Sequence, residues 1–297
     1  MKVVGIGGGH GLAATLRAAR LYAEKIDAVV TVADDGGSSG RLTRELGVPP
    51  PGDIRNCLVA LAEREDLGGL FQHRFASGAL TGHTVGNLII ASLTEMTGDF
   101  ATAVREAGAL LGAVGTVHPA TSALVALRAR VDGGEIRGQV AVAQTTAPIQ
   151  AVYLAPPDPP ADPAAVEAIM GADQVVLGPG SLFTSLIATL LVPGIRTALQ
   201  ETSARKVFVC NTRMQKGETD GLGAADHVHA LLAHAGPSAV DVAVVHTPEL
   251  ATDGVAVDPV ALDFLGLEVV EATVADPDRT DGAHDPAALA GVLGSLV

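Results

Sequence analysis

The sequence predicts an α/β protein whose mainly parallel sheet is covered by helices on both faces and carries a hairpin-bearing insert. Hydrophobic residues make up 48% of the 297 and aromatics only 3%, with no Trp. Such a core is built of Val, Leu, Ile and Ala, as in parallel strands buried on both sides. Short β-branched runs alternate with longer helical patterns, and three of the strands end in polar or glycine-rich loops.

The first unit is Lys2 to Ile6 as a strand, Gly7 to Gly11 as a turn, Leu12 to Glu24 as a helix and Ile26 to Val32 as a second strand. This is a βαβ unit, whose right-handed crossover makes the two strands parallel. A long loop from Asp34 to Gly52 follows, containing Pro49-Pro50-Pro51, and loops of that length in compact domains are usually functional. Helices are expected at 53–65, 84–97 and 99–111, the first capped by Asp53. Residues 124–131 and 135–143 flank Asp132-Gly133-Gly134 as a hairpin, and 149–154 reads as another strand. A Pro/Asp-rich linker, 156–163, leads to a helix near 164–171, a strand at 174–178, the turn Gly178-Pro179-Gly180 and a helix from Ser181 onward. Strand 206–210, a loop to about 222, helix 223–235, strands near 240–245 and 267–274, and helix 285–297 complete the chain. One domain over 1–297 is expected, with a subdivision near 155 as the alternative.

The net charge is −14 and unevenly placed: residues 1–82 hold nine basic and nine acidic side chains, so the excess lies beyond them. Such a chain repels nucleic acid and anionic lipid, and it has no basic run to offset this. An anionic ligand must be held locally by amides, metal or a few Arg, best sought in the neutral first third. Cys57 and Cys210 stand in or beside apolar stretches and read as buried reduced thiols. No apolar run reaches the ~18 uncharged residues of a membrane helix, and Met1-Lys2 runs straight into a strand without an apolar leader. A cytoplasmic location is expected.

Six segments can carry chemistry. Gly7, Gly8, Gly9, His10 and Gly11 lie between a strand and a helix, where free amides and the helix dipole favour phosphate. The strict dinucleotide fingerprint fails in both registers, its third glycine being His10 or Leu12, so NAD is not expected. Asp34 and Asp35 end the second strand, suited to a ribose or to Mg²⁺, with Ser38, Ser39, Arg41 and Arg44 offering donors to phosphate. Gly52, Asp53 and Asn56 open a helix behind the proline run, as ligand contacts or as a cap and first-turn residue. His83 and Asn87, in GHTVGN, are binding or structural hydrogen-bonding residues. Gly178, Gly180 and Ser181 form a second strand-to-helix anion site by geometry or a packing turn, and Asn211 and Thr212 present polar groups at a further strand end. Neither HExxH nor a Ser/Cys–His–Asp order occurs, so hydrolase chemistry has no support.

Taken in order, GGGHGL, VTVADDGGSSGRL, PPGDIRN, GHTVGNL, GPGSLFTS and N-x-x-MQKGET resemble the gluconeogenesis factor family of bacterial proteins, related to 2-phospho-L-lactate transferase. The resemblance runs from residue 3 to about 235. His10 stands where Thr is more usual, and Arg213 interrupts the usual stretch after Asn211. The resemblance implies a Rossmann-like, transferase-type α/β fold with its ligand over the glycine loops and Asp34/Asp35. In the transferase branch a phospholactyl group moves from a guanosine diphosphate carrier to a deazaflavin with Mg²⁺. The factor branch is similar to proteins that bind nucleotide sugars such as UDP-N-acetylglucosamine and influence carbon metabolism, cell shape and peptidoglycan. GHTVGNL, where transferases carry an acidic Gly-Asp-Arg-Asp type motif, favours the factor branch. The implied ligand is a small nucleotide or nucleotide sugar, with Mg²⁺ at Asp34 and Asp35 as the expected metal, no flavin or NAD, and a homo-oligomer compatible with the family. Catalysis stays open, the non-catalytic reading being preferred.

Overall fold

A computed structural model describes residues 1–297. Its centre is β1 (Lys2–Gly7), charged where it starts and buried from Val3 onward. The chain passes through α1 (Gly9–Ala19) to β2 (Lys25–Val30), which lies parallel to β1. Four helices come next, α2 (Gly37–Leu46), α3 (Gly52–Leu61), α4 (Glu65–Gln72) and α5 (Val85–Thr97), then α6 (Phe100–Leu111) and the short strand β3 (Thr116–Pro119) beside β2.

The insert holds β4 (Ala126–Val131), β5 (Gly134–Arg137), α7 (Gln139–Ala143) and β6 (Ile149–Ala155), forming a separate antiparallel sheet in the order β5-β4-β6. After α8 (Pro163–Met170), β7 (Gln174–Leu177) returns to the free side of β1. A π-helical turn, Leu182–Ile187, runs into α9 (Ala188–Leu190), and α10 (Pro193–Glu201) precedes β8 (Arg205–Val209). Then come α11 (Ala224–Ala235), β9 (Val242–His246), α12 (Pro259–Asp263), β10 (Glu268–Ala272) and α13 (Pro286–Gly294).

The main sheet has seven parallel strands in the order β10-β9-β8-β7-β1-β2-β3. Alternate residues bury opposite faces: Val4 and Ile6 join the core under α8, α10 and α11, while Val3 joins that under α1, α3, α6 and α13. The chain moves outward from β1 in both directions, so strand order reverses between β1 and β7. Ligands of open α/β sheets bind beyond the carboxyl ends of the strands at such a reversal.

The expected α/β architecture with its hairpin-bearing insert is what the structure has. Several elements differ in extent. The segment expected to be a loop from Asp34 to Gly52 contains α2, in which Gly40 serves close packing. A Cβ on Gly40 would run into the Asp35 carbonyl, so composition imitated a loop where the chain is helical. The first helix starts earlier than expected, at Gly9, and ends at Ala19. The helix after Ser181 breaks before Pro193, which lacks the N–H to continue it and starts α10 instead. The second hairpin arm stops at Arg137 and turns into α7, while β3, α4 and α12 were too short to stand out. Both cysteines are free and buried, and burial pushes the Cys210 thiol up to about 12. No single helix is long and apolar enough to cross a membrane.

Candidate functional site

The turns after β1 and β7 meet at the strand reversal. A Cβ on Gly11 would overlap the Pro179 carbonyl and come within 2.5 Å of the Gly180 Cα. Thr15 Oγ1 donates to the Gly178 carbonyl at 2.6 Å, and Thr189 Oγ1, which donates to the Ser185 carbonyl at 2.8 Å, lies 3.2 Å from that of Gly7. Above the junction opens a cleft of about 740 Å³, to which the sequence-predicted His10, Gly11, Gly180, Asn211 and Thr212 all contribute.

The same cleft gathers three arginines, Arg17 from α1, Arg213 from the loop after β8 and Arg279 from the segment after β10. Arg279 is paired with Asp281, whereas neither Arg17 nor Arg213 meets a carboxylate, and Arg213 Nε is buried without a hydrogen-bond partner. Partial burial, and after it the charges of Arg55, Arg17 and Arg279, hold the His10 imidazole below its usual range. Asp276 and Asp281 also line the cleft, which leaves it one net positive charge in a protein of net charge −14. A strap from Ala275 to His284 covers one side of it. The strap is fastened by His284 Nε2 to the Cys210 carbonyl at 3.1 Å and by Thr212 Oγ1, which donates to the Gly282 carbonyl.

A second cluster lies behind the first glycine turn. The Asp53 carboxylate rests against Gly8 and Gly9, its Oδ1 lying 3.5 Å from where a Gly9 Cβ would be. Burial, reinforced by the Asp34 charge, pushes Asp53 up to about 7 against the pull of Arg55 and the Gly9 amide. Asp34 is raised as well, chiefly by burial. Its Oδ1 accepts from Gly36 N at 2.9 Å, and its Oδ2 lies beside Gly52, whose amide donates to Ser39 Oγ at 3.1 Å. Asp35 points elsewhere: its Oδ1 accepts from Val140 N at 2.9 Å, tying the first turn of α7 to the main domain. No group of three or more His, Cys, Asp or Glu converges anywhere. Half-buried Asp34 and Asp53 fit a hard cation that keeps much of its water shell.

Ser38, His83, Asn87 and Asn56 are buried together around Arg55. Ser38 Oγ lies 2.9 Å from His83 Nδ1 and accepts from Asn87 Nδ2 at 3.0 Å. Arg55 donates to Thr84 Oγ1 and Asn87 Oδ1 at 2.7 Å and to Asn56 Oδ1 at 2.8 Å. This network braces α2, α3 and α5 beneath the Asp34–Asp53 cluster. Arg41 stands apart, donating to the Thr81 carbonyl at 2.7 Å.

The turn after β7 already has partners of its own. Asn211 Oδ1 accepts from Gly180 N at 3.0 Å while its Nδ2 donates to Gly180 O at 2.9 Å. Ser181 Oγ accepts from Gln215 Nε2 at 3.2 Å. The amides of Phe183 and Thr184 at the helix start donate to the Glu218 carboxylate at 2.7 and 2.8 Å. Arg213 and Glu218 lie in the polar run from Cys210 to Thr219 at a strand end, where only Asn211 and Thr212 were expected to bind ligand. Arg17 lies on an exposed helical position beyond the first glycine turn. Arg279 sits in DPDRTDG, which carries no local signal.

Fold and cleft define a doubly wound α/β protein with a cationic crevice at its strand reversal. A family model described as 2-phospho-L-lactate transferase CofD matches residues 3–276. The gluconeogenesis factor of Bacillus subtilis is 41% identical over 310 residues, covering 100% of this chain and 98% of its own. A putative gluconeogenesis factor of Mycobacterium tuberculosis H37Rv is 46% identical over 305 residues, covering 98% of this chain and 89% of its own. A crystallised member of the UPF0052 family from Bacillus halodurans superposes with a TM-score of 0.94 at 40% identity over 98% of each chain. The chain belongs to the CofD family and, within it, to the gluconeogenesis factors.

Proposed function

We propose that the cleft binds a nucleotide sugar of the UDP-N-acetylglucosamine type and that the protein acts as a regulator of carbon metabolism and cell-wall morphogenesis. The observation that carries the binding is that Arg17, in the last turn of α1, and Arg213, in the loop after β8, line one cleft and meet no carboxylate. Two free guanidinium groups match the two charges of a diphosphate. The volume of about 740 Å³ falls within the roughly 300–1,000 Å³ of small-molecule sites. The regulatory role rests on the family resemblance and on GHTVGNL.

Thermal melts with UDP-N-acetylglucosamine, GDP and NAD test the binding. At about 100 times its Kd a ligand of the folded state adds roughly 2.7 kcal/mol, and for a chain this long each kcal/mol moves the midpoint by about 2 °C. UDP-N-acetylglucosamine is expected to raise it by about 5 °C and NAD not at all. A shift with GDP and with no UDP-sugar would overturn the reading.

Asp34 and Asp53 favour a second reading, a Mg²⁺-dependent transferase using a guanosine diphosphate donor. They would hold the ion, which would neutralise phosphate oxygens, while Arg17 and Arg213 fix the diphosphate. The absence of Phe, Tyr and Trp from the cleft lining weighs against a deazaflavin acceptor, which stacks on such rings. Incubation with a deazaflavin, a guanosine-diphosphate lactate donor and Mg²⁺ is expected to yield no product. Turnover of ~1 s⁻¹ or more, lost in Asp34→Asn, would establish the transferase instead.

A further inference from the structure

The loop after β8 supplies Asn211, Thr212, Arg213, Met214 and Gln215 to the cleft, yet it belongs to no helix or strand. The loop is bridged to residues 253–255, Met214 N donating to the Asp253 carbonyl at 2.8 Å and Val255 N to that of Thr212 at 3.1 Å, and its Gln215 end is held by Glu218, only 6% exposed. Its Oε1 accepts from both Phe183 N and Thr184 N, and its Oε2 accepts from Thr184 Oγ1 at 3.1 Å. Those amides open the helix after β7, the place where a bound anion would otherwise sit. The chain fills it from within.

Glu218 is joined to the cleft loop through short links. Its own amide, and that of Thr219, donate to the Gln215 carbonyl at 3.0 and 2.8 Å, and Gln215 N donates back to Thr219 Oγ1 at 2.8 Å. Thr219 is fully buried, and Gly217 passes close to the carbonyls of Ala143 and Thr145. Asn211 and Gln215 then reach back to Gly180 and Ser181. The loop is thus clamped at both ends on one turn.

We propose that Glu218 is a positioning residue for the cleft: by taking the anion's place at the helix start after β7, it holds the Gln215 end of the loop that presents Arg213 and Gln215 to the ligand. Ligand phosphate is left to the arginines. The inference rests on the nucleotide-sugar reading for its binding consequence, while the ordering of the loop stands without it.

The test compares Glu218→Ala and Glu218→Gln in the full chain. Glutamine keeps an oxygen for the two amides and a donor for Thr184 Oγ1; alanine keeps neither. Calorimetry with UDP-N-acetylglucosamine well below the melting midpoint is expected to show at least about tenfold weaker binding for Glu218→Ala, about 1.4 kcal/mol, and restoration to within about threefold by Glu218→Gln. A lower midpoint in Glu218→Ala with wild-type affinity would mean a structural cap only and overturn the proposal. Hydrogen exchange over residues 211–216 is read in parallel without ligand, and is expected to be at least tenfold faster in Glu218→Ala. Failure of the wild type to bind any nucleotide would sink the nucleotide-sugar reading alone; unchanged exchange would sink the role of Glu218. Should Glu218→Ala not fold, Glu218→Asp, one methylene too short to span the contacts, takes its place with the same readings.

Discussion

Replacing Arg17 and Arg213 together by alanine is expected to weaken nucleotide-diphosphate binding by about 10²–10⁴-fold without destabilising the free protein. A hydrogen bond to a charged group is worth about 1.5–3 kcal/mol, and every 1.4 kcal/mol is tenfold in affinity. Neither guanidinium holds a carboxylate, and Arg213 Nε is buried without a partner, so removing them leaves no new charge unpaired. Arg213→Lys should recover little, because a point charge does not reproduce the planar fork. Calorimetry at two salt concentrations, with a melt of each free variant, reads both halves. Binding of the double variant within threefold of wild type would remove these arginines from the site.

Gly11→Val is expected to unseat the whole strand reversal. The new Cβ would be driven into the Pro179 carbonyl and the Gly180 backbone, neither of which can swing aside as a side-chain tip can. Overpacking costs about 1–3 kcal/mol, and a clash with backbone falls at the upper end, which lowers the midpoint by about 6 °C, and nucleotide binding should vanish with it. Gly291→Ala is the control. Nothing lies within 4 Å of its added Cβ, and an alanine inside α13 should stabilise it by about 1 kcal/mol. A Gly11→Val midpoint within 2 °C of wild type would contradict the interlocked turns.

The sheet was legible because its signal is local. Runs such as Val3–Ile6, Val207–Val209 and Val242–Val245 are apolar and β-branched wherever they are read. The candidate site was legible only in part, since glycine turns announce where a ligand approaches but not which of their amides remain free. Asp53, expected as a cap or a ligand contact, proves to lie across the first turn, and Glu218, thirty-five residues beyond Phe183, occupies the second. Contacts over such separations leave no periodicity. α2 was hidden for a different reason: Gly37 and Gly40 read as loop by composition, although Gly37 starts the helix at positive φ and Gly40 is needed where the helix passes the Asp35 carbonyl. The arginines failed to register because they are single charges on three separate elements that only the strand reversal brings to one place.

That arrangement of β1 also governs when the site can exist during synthesis. One flank of β1 is covered by β2, twenty-odd residues later, but the other waits for β7, which begins at Gln174. The cleft then needs Asn211–Gln215 and finally the strap ending at His284. A ribosome-bound chain lacking its last segment has the first glycine turn and Arg17, yet no wall opposite them. A ligand held between the two walls could not guide the early folding of this protein, because the cleft is complete only once residues through Pro286 are in place.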